Sequence, residues 1–321
     1  MLCIFSNSTN PYFNIATEEH LLKNFNDDVF FLYSNEPSVI VGKHQNTLAE
    51  VDYQYTKKND IKVIRRLSGG GAVFHDLGNV NFTFIRNGKE GKLVDFRGFT
   101  KPVIGLLHEL GIEAKFEGYN SLTINGKKFS GNAEHVFKNR VMHHGTMLFS
   151  TNLKTLAQVL YVNKNRYSHK GIQSVRATVT NISEHLAKEM PIDAFKAFVH
   201  KFILREFNGT NHLFSTEDVT TIKQLVNEKY ATWEWNFGYS PSYSFKRETK
   251  NSKGKIQITA HVEKGVMVNL TIQGDGLTQE EKNQVSDVLS GKTHNPLTIK
   301  RIVEETTLSS TDKNIVIENL L

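Results

Sequence analysis

The stretch RRLSGGGAVFHDLGNVNFTF, Arg65–Phe84, limits the fold more than any other part of the chain. Three successive glycines stand between the strand-like IKVIRR and the β-branched and aromatic AVFHD. Glycine gives a backbone freedom that neither a helix nor a regular strand needs, so a tight strand–turn–strand passage is expected. The passage is not a dinucleotide fingerprint, because a helix must follow the last glycine there and AVFHD favours extended backbone. Nor is there a Walker loop: the only GKT is Gly291–Thr293, and Ser286 stands where its first glycine belongs. Glycine lets amide N–H groups approach an anion closely, and the adjacent Arg65 and Arg66 suggest a guanidinium clamp beside them. Alone, the glycines would equally mark a β-bulge, His75 a packed core histidine, and Asp76 and Asn79 turn formers.

Around this passage the chain alternates helix and strand signals. A helix is expected from Pro11, strands at Val29–Tyr33 and Ser38–Lys43, and a short helix in EVDYQYTKKND. Val80–Ile85 reads as a half-buried strand. FTKPVIGLLHELGI reads as an amphipathic helix closed by Gly111, and NSLTINGKKFSGN as a hairpin turning at Asn125-Gly126. HGTMLFST is a further strand and PIDAFKAFVHKFILREF a further helix. The polar, basic stretch YSPSYSFKRETKNSKGK suggests a boundary, giving units 1–245 and 246–321. In the second unit Val266, Val268, Leu270 and Ile272 are expected on one strand face, and Thr278 with Glu281 forms a capping-box signature.

Composition excludes several classes. Cys3 is the only cysteine, so no intrachain disulfide or cysteine-cluster zinc site exists, and a thiol on a mobile terminus is an unpromising nucleophile. No apolar run reaches the length of a membrane span, and the N-terminus lacks signal and transit features, so a cytoplasmic location and no membrane partner are expected. The net charge of +6 suits acidic partners, but the basic residues are dispersed, so nucleic acid is not expected.

A second chemical stretch is INGKKFSGNAEHVFKNRVMHHGT, Ile124–Thr146. Lys128 follows a tight turn and precedes a Ser-Gly pair, so its ammonium could face inward toward a phosphate. His143 and His144 are strand neighbours and face opposite ways, which rejects a shared metal ion.

Taken together, RRLSGGGAVFHDLGNVNFTF, GKKFSGNA followed by HHGT, KGIQSVRATVTNI (Lys170–Ile182) and WNFG (Trp235–Gly238) resemble the lipoate–protein ligase family, in its order. The resemblance implies an α+β fold: a large biotin/lipoate-ligase-like catalytic domain with mixed sheets flanked by helices, and a small α+β accessory domain. It also implies a two-step reaction. Lipoate and Mg-ATP give lipoyl-AMP and pyrophosphate; a lysine ε-amine on a lipoyl domain then displaces AMP. The acceptors implied are E2 subunits of 2-oxoacid dehydrogenases and the glycine cleavage H protein. By the same resemblance Arg66, Gly71, Ala72, Val73 and Phe74 match the nucleotide-binding strip. Gly70, His75 and Asn79 match the lipoate pocket wall, and Lys128 the essential lysine touching both lipoate and the α-phosphate. Lys170 to Thr180 match a loop over the adenylate. In GYNSL, Tyr119 and Ser121 replace a family arginine and acidic residue, so no Mg²⁺ ligand is assigned. Two other readings stay open: a transferase that uses preformed lipoyl-AMP without making it, and a non-enzymatic binder of acyl chains or nucleic acid. A transferase working through a cysteine thioester is disfavoured, since Cys3 lies outside every motif.

Overall fold

A computed structural model describes residues 1–88, 93–162 and 166–320. The chain has an α+β fold with a large mixed sheet in the first part and a smaller sheet, backed by helices, in the second. Among the described residues the large sheet has eight strands, in the order Thr210–Asn211, Leu2–Phe5, Val29–Tyr33, Asn79–Asn87, Arg140–Leu148, Lys127–Phe137, Ser121–Ile124, Ala114–Glu117. A three-stranded sheet places Ser38–Val41 between Lys62–Arg65, parallel, and Val73–His75, antiparallel. The glycine passage therefore joins the two outer strands of this small sheet.

Local chemistry accounts for the elements that frame the site. Asn10 caps the helix Pro11–Asn24 by accepting the Phe13 N–H, and Pro11 occupies its first turn, where no donor is needed. Asp95 caps Phe96–Glu109, and Gly111, at φ +76°, closes that helix. Asn125 and Gly126 both have positive φ, as a two-residue hairpin turn requires, and this fixes the register that carries Lys128.

The sequence pattern misleads in three places. Asn79–Asn87 is not half-buried. Val80, Phe82 and Phe84 pack into the main core with Phe99, Val103 and Phe202, while Asn79, Asn81 and Thr83 face the other way and are also buried. That polar face is spent inside the protein: Thr83 donates to Glu18, Asn79 to Asn81, and Asn81 lines a cavity. Cys3 lies not on a mobile terminus but fully buried on a strand between two parallel neighbours, and burial pushes its thiol pKa up. In the second sheet a register shift at His261/Val262 turns Met267 inward and leaves Val268 40% exposed, while Leu270 and Ile272 remain buried.

The second sheet runs Tyr167–His169, Tyr243–Lys250, Lys255–Glu263, Val266–Gln273, covered by Gln279–Leu289, Pro296–Glu304 and Ser310–Leu320. Thr278 and Glu281 make the reciprocal capping box expected of them. The strand Tyr167–His169, just ahead of the Lys170–Thr180 segment, is thereby tied to the C-terminal sheet.

Candidate functional site

The two arginines beside the glycines part company. Arg65 is fully buried and points away from the turn. Its guanidinium donates to the carbonyls of Gly42, Lys43, Gln45, Trp235 and Asn236 and to the hydroxyls of Thr47 and Ser240. It is a structural tie that anchors the WNFG segment, not part of an anion clamp.

Arg66 faces the turn, and it too is already engaged. Nε donates to Ser68 Oγ at 2.9 Å, Nη1 to the Ile40 carbonyl, and Nη2 to the carbonyls of Gly69 and Gly71 at 2.5 and 2.8 Å. A planar peptide sets its C=O and following N–H antiparallel. By holding those two carbonyls, Arg66 turns the N–H groups of Gly70 and Ala72 to the opposite side. The Ala72 N–H meets Ser174 Oγ at 2.9 Å. Burial lowers the Arg66 pKa to about 10, against the opposing pull of Glu18 and Tyr33. Gly42 makes this turn sterically possible, because a Cβ there would lie 2.1 Å from the Gly70 carbonyl oxygen.

Behind Arg66 lies a buried polar chain. Ser68 Oγ and His144 Nε2 are 2.6 Å apart, and His144 Nδ1 contacts both Glu18 oxygens at 3.0 and 2.9 Å. Thr83 and Tyr33 also donate to Glu18. Burial alone would raise the Glu18 pKa, but the charge and hydrogen bond of His144 and the two hydroxyls outweigh it, so the group sits low. Ser68 Oγ accepts from Arg66 and so links the guanidinium to His144. His143 turns to the opposite face, with Nδ1 2.8 Å from Glu134. Among the described residues no group of three or more His, Cys, Asp or Glu side chains is placed to hold a metal ion.

Two adjoining cavities meet at this turn. One, of about 300 Å³, lies between the large and small sheets; Ile15, Tyr33, Ile40 and Asn81 form its most buried walls, with His75 and His144 beside them. The other, of about 380 Å³, is walled by apolar side chains including Phe74, Phe129, Leu153, Leu156 and Leu160. Ala72, Val73, Lys128, Gly131, Thr146, Ser174 and Val175 border both.

Lys128 is the cation at their junction. Its backbone is clamped on both sides, with N–H to the Thr178 carbonyl at 2.9 Å and C=O to the Thr180 N–H at 3.0 Å. Its ammonium lies against Gly131 and makes no hydrogen bond or ion pair with any described residue. Burial, helped by the charge of Arg66, depresses its pKa. A desolvated, unspent ammonium between two cavities is suited to an anionic ligand that spans them.

The structure brings most of the expected residues together. Arg66, Gly70, Gly71, Ala72, Val73, His75 and Lys128 border the first cavity, and Phe74 borders the second. Asn79 borders neither; it is fully buried and its amide donates to Asn81, which takes the wall position. Lys170 is exposed and lines neither cavity, and Thr180 is buried against Glu184 and His185. It is the middle of their segment, from Ile172 to Val179, that covers the junction. Gly42, Glu18 and Asn81 escaped the sequence reading, which named His144 only to reject a metal ion and held Ser174 only within the loop Lys170 to Thr180.

Comparison with known proteins agrees with this architecture. Residues 10–204 match the family described as lipoyl protein ligase A/B catalytic domain, and residues 240–321 match the bacterial lipoate protein ligase C-terminus. The chain is 36% identical over 320 residues to the Bacillus subtilis lipoate-protein ligase LplJ, covering 98% of this chain and 97% of that one. It is 40% identical over 291 residues to lipoate–protein ligase 1 of Staphylococcus aureus, covering 90% and 89%. A crystal structure of lipoate-protein ligase A bound with ATP superposes with a TM-score of 0.64 at 26% identity, covering 74% of this chain and 98% of that one.

Proposed function

Because this chain belongs to the lipoate–protein ligase family, we propose that it carries out both steps of an ATP-dependent ligation. Lipoate attacks the α-phosphate of ATP to give lipoyl-AMP and pyrophosphate. The ε-amine of a lysine on a lipoyl domain then attacks the acyl carbon, and AMP leaves with the former carboxylate oxygen. The single observation that carries the reading is Lys128, an unspent ammonium where the two cavities join.

In this reading the acyl chain enters the cavity between the sheets, past Gly70 and His75, and adenosine lies in the apolar cavity beside Ala72, Val73 and Phe74. The acyl-phosphate bond then falls beside Lys128. Its charge follows the negative charge that builds on the α-phosphate oxygens, while the outward-turned Gly70 amide donates to a phosphate oxygen and the Ala72 amide holds the covering segment through Ser174. Arg66 acts by fixing those amides, with little left to donate directly. The segment 172–179 covers the junction and shields a mixed anhydride that water would hydrolyse. Magnesium would arrive on the phosphates of ATP, and we assign it no protein ligand. The division into a catalytic unit 1–245 and an accessory unit 246–321, and acceptance by E2 lipoyl domains and the glycine cleavage H protein, belong to the same proposal.

A second reading has one observation in its favour. Tyr119 is 94% exposed and Asn120 is bound to Asn132, so the turn 118–120 offers the nucleotide neither a cation nor a carboxylate. A chain lacking that contact could transfer preformed lipoyl-AMP without making it. Pyrophosphate release from ATP and lipoate, measured without and then with a lipoyl domain, separates the two. Release in both conditions, with acceptor modified, supports the complete ligase. Modification only from supplied lipoyl-AMP refutes it in favour of the transferase.

A further inference from the structure

The buried wall of the cavity between the sheets carries hydrogen-bond donors that find little or no partner among the described residues. His75 is 3% exposed, and its Nδ1 lies 3.0 Å from Asn35 Nδ2. That contact has a fixed sense. Ser6 Oγ donates to Asn14 Oδ1, and Asn14 Nδ2 donates to Asn35 Oδ1 at 2.8 Å. The Asn35 oxygen is therefore turned toward Asn14, and its NH₂ donates to His75 Nδ1. The imidazole must carry its proton on Nε2, which is closed off from solvent and has no partner among the described residues. The strongly depressed His75 pKa, about 3, agrees with a neutral ring. Close by in the same wall, Asn81 Oδ1 accepts from Asn79, and its NH₂ makes only a long 3.4 Å bond to the Tyr33 carbonyl. Two N–H groups are thus poorly spent on cavity-lining side chains that are more deeply buried than the half-buried Lys128.

If the carboxylate lies at Lys128, as the function proposed above requires, the tail of the acid meets these donors. A saturated eight-carbon acid would end there in a methyl group, which accepts nothing. A 1,2-dithiolane places two sulfur atoms there, soft and weak acceptors that still relieve a buried donor. We propose that His75, its tautomer locked through Asn35 and Asn14, together with Asn81, selects the dithiolane-bearing acid over its sulfur-free analogues. A site built around unpaired donors discriminates against a ligand that lacks the acceptor, because the donors then stay buried and unmatched.

The test uses the full chain and three acids: lipoate, 5-cyclopentylpentanoate, which keeps the ring but lacks sulfur, and octanoate. Calorimetry is expected to give a lipoate affinity about tenfold above that of the cyclopentyl acid, as one or two weak hydrogen bonds supply. His75→Phe keeps an aromatic ring of similar size and removes the donor, and should bring the ratio between those two acids near one. Equal affinities in the unaltered protein overturn the proposal, whatever the variant does. So does a tenfold ratio that survives in folded His75→Phe. Failure to bind any of the three acids overturns the acyl-cavity reading itself, a different result from equal binding.

Discussion

Replacing Lys128 by methionine isolates its charge, because the thioether keeps the unbranched stem that packs beside Gly131. The ammonium has no partner among the described residues, so its removal breaks no hydrogen bond there and should leave stability nearly unchanged. Its loss is felt only when negative charge grows on the ligand. Two unit charges about 4 Å apart at an effective dielectric near 20 interact by about 4 kcal/mol, and removal of one preorganised donor commonly costs a factor of about 10² to 10³ in rate. Lipoate-dependent pyrophosphate release should fall by that factor, with the melting temperature held within about 2 °C. The lowered Lys128 pKa adds a pH signature. The charged form is the active one, so adenylation should decline on the alkaline side at a pH below the ordinary lysine range, and this limb should be absent in Lys128→Met. A folded variant releasing pyrophosphate within threefold of the unaltered rate would refute the assignment.

Other consequences are open to direct measurement. Arg65→Lys strands most of the seven groups now held by the guanidinium, and should cost about 3–5 kcal/mol in denaturant unfolding; a loss below 1 kcal/mol would contradict its role as a tie. Gly42→Ala places a methyl group against the Gly70 carbonyl and should lower pyrophosphate release at least tenfold by displacing the turn, whereas normal turnover would show the turn to be pliable. His75 and His294 are buried imidazoles whose pKa values fall to about 3 and about 4. The unfolded chain protonates both below pH 6.5 while the folded chain does not, so stability present above that pH is lost as pH falls toward those values. At pH 5 each should contribute a loss of roughly 2 kcal/mol, and thermal melts that are flat from pH 7.5 to 5 would count against it.

Much of the fold was legible because it is written locally. Asn125-Gly126 turns a hairpin, Gly111 closes a helix, and Thr278 with Glu281 opens another, each through contacts only a few residues apart. The bulge opposite Val262 is different. Nothing in VMVNLTIQ announces that Val268 will be left out of the pairing, so that Met267 takes its place on the buried face. The alternation at Asn79–Asn87 was read correctly as a period and wrongly as an exposure, because polarity alone does not separate a solvent face from the lining of a buried site.

The site divides along the same line. The GGG turn and Lys128 are contiguous signals whose chemistry can be named before any neighbour is known. What Arg65 and Arg66 do cannot be. Adjacent residues on a strand face opposite ways, so two arginines side by side are committed to two environments, and only the distant segments decide which. For Arg65 those segments are 42–47 and 235–240; for Arg66 they are Ile40 and, through Ser68 and His144, the carboxylate of Glu18, with the nearby glycine carbonyls taking its remaining donors. A guanidinium that spends its donors on carbonyls also determines where the neighbouring amides point. In the proposed reaction the positive end offered to the phosphate is thus backbone N–H, oriented by an arginine that need not touch the anion at all. Arg66→Lys separates that role from a direct clamp: a lysine keeps the charge but cannot hold Gly69 and Gly71 together with Ser68 and Ile40. Amide exchange at Gly70 and Ala72 should then quicken in the ligand-free protein, and unchanged exchange alongside weakened ATP binding would return Arg66 to the role of direct ligand.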